Sequence, residues 1–140
     1  MLFPKKVAHR KWHSNRWNPR FTHNETRGTS VSYGQYGIKA ETAARITSNQ
    51  IEAARRVLQR TIGKTGRVFI RIFPDRPFTQ KGAETPMGSG KGDPKGFVFE
   101  ALPGRVIFEL DNVEESMAKE AIRKAGSKLP MKTRFSVRHN

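Results

Sequence analysis

Residues 46–73, ITSNQIEAARRVLQRTIGKTGRVFIRIF, change hydrophobic period once, and that change points to the fold class. In the first half Ile51, Ala54, Val57, Leu58, Thr61 and Ile62 share one arc at the helical period, while Arg55, Arg56, Gln59 and Arg60 occupy the other. Thr47 followed by Gln50 makes a capping box, and Ile46 can staple onto Ile51. A helix is therefore expected from about Ser48 to Ile62, ended by Gly63 or Gly66. In the second half Val68, Ile70 and Ile72 alternate with Phe69, Arg71 and Phe73, the period of a strand from Arg67 to Phe73.

Working outward, residues 29–40, TSVSYGQYGIKA, mix β-branched and aromatic residues with Gly34 and Gly37, which suggests a strand with a bulge or a close backbone approach. Downstream, Pro74, Asp75 and Pro77 turn the chain. Residues 79–96, TQKGAETPMGSGKGDPKG, are rich enough in Gly and Pro to read as one long loop. Phe97 to Leu102 and Arg105 to Leu110 read as a hairpin joined at Pro103 and Gly104. A second helix is expected from Asn112, whose spacing to Glu115 gives another capping-box pattern, to about Lys128 before Pro130. Its buried stripe would be Val113, Met117, Ala118, Ala121, Ile122, Ala125 and Leu129. Glu114 and Glu115 at its start and Lys124 and Lys128 near its end suit the helix dipole. Met131, Thr133, Phe135 and Val137 then alternate with Lys132, Arg134, Ser136 and Arg138, giving a closing strand with a basic outer face. The expected fold is α+β: a single compact domain over residues 29–140, with two helices packed on one mixed or antiparallel sheet. Roughly 90 residues remain once arm and loop are set aside, so only ~60–65% of the unfolded surface is buried and stability is modest without a partner.

Charge names the partner class. The 140 residues hold 27 Lys plus Arg against 12 Asp plus Glu, a formal net charge of +15, so the chain repels itself until a polyanion or salt relieves it. Residues 1–28 form an expected extended basic arm with no sustained apolar period. Ordering it costs ~1–2 kcal/mol of backbone entropy per residue, which an external partner would offset, so the free arm is expected to move. No stretch approaches the ~20 apolar residues of a membrane-spanning helix, and basic residues interrupt the N-terminus too often for a secretory signal. With no Cys, disulfide frameworks, thiolate catalysis and Cys-based zinc sites are excluded.

Three basic clusters of one sign favour phosphate contact over a merely solvated surface. They are Lys5, Lys6, Arg10, Lys11, Arg16 and Arg20 of the arm; Arg55, Arg56 and Arg60 of the first helix, followed by Lys64; and Lys132 and Arg134 of the closing strand. Trp12 and Trp17 within the arm suit stacking on an unpaired base, with packing on the protein's own sheet the competing reading. Gly88 to Gly92, GSGKG, invites a nucleotide-binding reading that its flanks refuse. A P-loop needs Gly five places before the Gly-Lys pair and Ser or Thr after it, where this chain has Thr85 and Gly92. His9 and His13 have the spacing of a metal pair but no third ligand nearby. Asp75, Asp93 and Asp111 fall at turns or element ends, and nothing assembles a nucleophile, a base and an oxyanion site. Neither enzyme activity nor a cofactor or metal is expected.

Seven blocks resemble the bacterial-type large-subunit ribosomal protein L-sixteen family, in family order and over nearly the whole chain. They are MLFPKKVAHRKWH at residues 1–13, TSVSYGQYGIKA at 29–40, ITSNQIEAARR at 46–56, IRIFPDRPFTQKGAE at 70–84, MGSGKG at 87–92, PGRVIFELDNV at 103–113 and KLPMKTRF at 128–135. The resemblance implies an α+β body docked on large-subunit ribosomal RNA near the peptidyl transferase centre, among neighbouring large-subunit proteins, as a single copy. It also implies that the loop with Lys81, Met87, Gly88, Ser89, Gly90, Lys91 and Gly92 reaches transfer RNA at the A site and toward the P site, and that the protein assists late subunit assembly. Many relatives carry Arg where this chain has Pro86, a departure that bears on any contact or modification built on that Arg. The resemblance starts at Met1, so no transit peptide is expected, which points to a cytoplasmic ribosome, bacterial or organelle-encoded. The rival readings are a free RNA-binding regulator or chaperone and, more distantly, a nucleotide-dependent enzyme.

Overall fold

The strand that organises the body is the one with no exposed face. Val106, Ile107, Phe108, Glu109 and Leu110 are all buried, so this segment must be flanked on both edges and covered on both faces. The computed structural model describes residues 1–13 and 23–139. In chain order it contains β1 (Tyr36–Ala40), β2 (Ala44–Thr47), α1 (Ser48–Ile62), β3 (Arg67–Ile70), β4 (Arg76–Gln80), β5 (Asp93–Ala101), β6 (Val106–Asp111), α2 (Glu115–Gly126) and β7 (Thr133–Val137). All strand pairs are antiparallel. The result is an α+β domain.

The strands form two sheets where one was expected: four strands in the order β3-β6-β1-β7 and three in the order β2-β5-β4. The expected hairpin of β5 with β6 is therefore incorrect, because those two strands lie in different sheets. Pro103 and Gly104 turn the chain from one sheet to the other. The Gly104 amide donates to the Ala40 carbonyl at 2.7 Å and the Ala40 amide donates to the Arg105 carbonyl at 2.9 Å. Local pattern cannot distinguish a hairpin turn from such a corner. Pairing with β1 and β3 on either edge of β6 decides it.

α1 begins and ends where the spacing predicts. The Gln50 amide donates to Thr47 Oγ1 at 3.4 Å, and Gln50 Oε1 accepts from the Thr47 amide at 3.0 Å, so the box is closed in both directions. Ile51, Ala54, Leu58 and Ile62 are buried, and Ile46 joins the same core. Burial of each large apolar side chain there contributes ~1.5–3 kcal/mol. The two helices pack against each other and onto the four-stranded sheet, α1 through β3 and α2 through β1 and β7.

α2 departs from expectation at both ends. Its N-cap is Glu114, without a side-chain cap, and Asn112 is a turn residue with φ 57 whose side-chain Nδ2 donates to the Thr65 carbonyl at 3.0 Å. Asn tolerates the left-handed region better than most residues, and here its side chain is turned to Thr65 instead of the first turn of α2. The helix stops at Gly126, and the amides of Lys128 and Leu129 close tight turns onto Ala125 and Gly126. Met117, assigned to the buried stripe, is 43% exposed, whereas Ala118, Ala121, Ile122, Ala125 and Leu129 are buried. β3 ends at Ile70, three residues short of the expected strand. The long loop is correspondingly shorter: Thr79, Gln80 and residues 93–96 pair as β4 and β5, leaving residues 81–92 to connect them.

Candidate nucleic-acid interface

The β4–β5 connection projects from the body. Residues 82–91 are exposed, Met87 at 96%. Gly88, Ser89 and Gly90 take φ values of 107, 60 and 102, a run of positive φ that glycine permits on either side of Ser89. Lys81 Nζ donates to the Gly88 carbonyl, curling the tip back on its own base. Strand precedes and strand follows this loop, so the helix N-terminus that a P-loop uses for phosphate is not there.

The structure brings two sequence-distant candidates together. Lys91 Nζ donates to the Trp12 carbonyl, and Lys11 Nζ donates to the Lys91 carbonyl at 3.4 Å. Arg76 of β4 donates to the His13 carbonyl at 3.3 Å and lies 5.5 Å from the centre of the Trp12 ring. The arm's Lys11–His13 segment thus sits on the base of the exposed loop. Further along, the Glu25 amide donates to the Pro103 carbonyl and the Gly28 carbonyl accepts from the Val106 amide, joining the arm's end to the body. Lys5, Lys6 and Arg10 are exposed. Arg16, Arg20 and Trp17 lie outside the described residues.

The basic arc of α1 is less free than its sequence suggests. Glu52 accepts from Arg55 Nη2 at 2.6 Å and Nε at 3.0 Å, and from Arg56 Nε at 3.3 Å. The Arg55 hydrogen bonds, opposed by desolvation and helped by the charges of Arg55 and Arg56, lower the Glu52 pKa to about 2, and Arg55 is raised in turn. Arg60 and Lys64 stand exposed without an ion pair among the described residues, as do Lys132 and Arg134 near and on β7.

Sequence reasoning missed the polar centre that shapes the neighbouring surface. Glu109 on β6 is fully buried. Its carboxylate accepts from the amides of Ser32 at 3.0 Å, Tyr33 at 2.6 Å and Gly34 at 2.8 Å, and pairs with Arg71. Burial pushes its pKa up, but the Ser32 and Gly34 amides, the Arg71 guanidinium and the Tyr33 amide outweigh it, so the pKa is lowered. Arg71 also lies 4.9 Å from the centre of the Tyr33 ring, which stacks on Phe69. One signal was available: Glu109 is the single acid inside the apolar run from Val106 to Leu110, and a buried carboxylate demands several donors.

No helix of the described residues is long and apolar enough to cross a membrane, and no group of three or more His, Cys, Asp or Glu that could hold a metal occurs among them. An exposed loop, a tethered basic arm and surfaces of one charge sign are the features of the described residues that bear on a partner. Residues 4–136 match the family model described as Ribosomal protein L16p/L10e, which covers nearly the whole chain. The chain belongs to the ribosomal protein L16p/L10e family and is a structural, RNA-binding constituent of the large ribosomal subunit.

Proposed function

We propose that the protein docks on large-subunit ribosomal RNA near the peptidyl transferase centre through its arm, the outward arc of α1 and β7. Loop 81–92 extends from that docked body toward transfer RNA at the A site, with reach to the P site. The protein acts as a single copy, beside neighbouring ribosomal proteins, on a cytoplasmic ribosome of bacterial or organelle-encoded type, and assists late subunit assembly. The observation that carries the reading is the exposed, Gly-punctuated loop held at its base against a basic arm. The excess of positive charge over the few acids on these surfaces favours a phosphate lattice, and glycines let backbone approach another molecule closely.

Cosedimentation tests the docking. The protein stays with the large subunit through a high-salt sucrose gradient, whereas release into the light fractions would favour a free regulator. For the α1 arc, Arg60→Gln lowers the log–log salt slope of RNA binding by up to ~0.9, and replacing Arg55, Arg56 and Arg60 together by Gln lowers it by up to ~3. An unchanged slope makes this face solvated surface.

A further inference from the structure

Between the arm and the three-stranded sheet lies an open cleft of about 80 Å³ lined by Trp12, Arg45, Arg76, Thr79 and Lys91 among others. Its volume is far below the ~300–1,000 Å³ of a small-molecule or cofactor site. It admits one projecting group of a larger ligand rather than a free nucleotide. Its chemistry selects that group. Arg45 and Arg76 both reach Glu100, at 3.2 and 3.1 Å, so one carboxylate faces two guanidiniums, and Lys91 adds a third cation. The excess positive charge calls for an anion. Trp12, with Arg76 over its ring, is still 42% exposed, and so keeps aromatic surface for a flat partner.

We infer that this cleft takes the phosphodiester of one unpaired nucleotide of a single-stranded RNA segment among Arg45, Arg76 and Lys91, while the base of that nucleotide lies outside the cleft against the exposed surface of Trp12. The inference rests on the RNA-binding reading above and adds a strand type and a place. A duplex buries its bases in the stack and cannot offer one to Trp12, whereas a single strand offers base and phosphate together. Because Lys91 belongs to the exposed loop and Trp12 to the arm, an occupied cleft would also fix the loop's base relative to the arm.

The test uses the full chain carrying Trp17→Phe, in which Trp12 is the sole tryptophan. Three probes are titrated: a single-stranded oligoadenylate hexamer, a blunt RNA duplex of twelve base pairs, and inorganic phosphate. Only the hexamer is expected to quench Trp12 fluorescence. Adding Trp12→Leu weakens hexamer binding ~5- to 150-fold, the range that stacking of one base supplies, and leaves duplex binding unchanged. Arg45→Gln lowers the hexamer's salt slope by ~0.7. Equal quenching by duplex or phosphate overturns the inference, as does equal loss of both RNAs in Trp12→Leu, which would make Trp12 a structural prop. Duplex binding without any hexamer quenching sinks the cleft alone, while failure of both RNAs to bind sinks the RNA-binding reading with it.

Discussion

The Glu109 centre and the 81–92 loop are both built from glycines, backbone polar groups and a long cation, yet they behave as opposites. At Glu109 three consecutive amides and a guanidinium converge on one buried carboxylate, so the carboxylate finds its donors within the chain. In the loop Lys81 and Lys91 bond single exposed carbonyls, and Met87 at the tip is 96% exposed. Desolvation makes the difference. A carboxylate removed from water requires a full set of donors, which rigidifies whatever supplies them, while an exposed backbone is already satisfied by water and can exchange it for another molecule. The first region holds structure; the second is available for contact.

The sharpest way to break this contrast is to remove the carboxylate. Glu109→Ala leaves Arg71 without its partner and three amides without an acceptor, and is expected to cost ~3–5 kcal/mol in urea denaturation of the free protein. A loss no larger than that of the loop deletion below would erase the distinction between the regions. pH offers a gentler probe of the same group. Its folded pKa lies below the ordinary 4.5, so its stabilisation is complete above the unfolded value and is lost as pH falls through the lower folded one. Below pH ~4.5, Glu109→Gln therefore flattens the decline of stability by up to ~1.4 kcal/mol per pH unit. An acid limb with the same slope in wild type and variant would show that other carboxylates set it.

A matched pair of glycine substitutions sharpens the contrast further. A Cβ on Gly34 would stand 2.4 Å from the Leu110 carbonyl oxygen, backbone against backbone, so Gly34→Ala is expected to cost ~1–3 kcal/mol. On Gly82 the nearest atom is the Thr85 hydroxyl at 3.3 Å, and Gly82→Ala should lie within ~0.5 kcal/mol of wild type. Thermal melts of the two variants check the order.

The smallest stability effect belongs to the loop. Deleting Gly82 to Ser89 and closing the gap with a short linker should shift stability by less than ~1 kcal/mol, because loop length enters closure entropy only logarithmically. Transfer-RNA occupancy on purified ribosomes carrying the deletion should nonetheless fall. Normal occupancy would remove the transfer-RNA role, and a collapsed melting curve would place the loop with the structural region.

Local chemistry written in consecutive residues was legible without the fold. The Thr47–Gln50 box, the α1 stripe and the Gly63 stop are interactions within one or two turns, and they fix a helix from Ser48 to Ile62. The net charge and the Gly-rich character of the loop needed no structure either, since composition determines them. Asn112 shows where local reading fails: capping spacing was present, but a carbonyl 47 residues earlier took its side-chain Nδ2. The pairing of β6 with β1 and β3, the split into two sheets, the closing of Arg71 onto Glu109 and the meeting of Trp12 with Lys91 all join residues far apart in sequence. Only the tertiary structure decided these, because periodicity reports which face of a segment is apolar and carries no information about which distant segment will cover it.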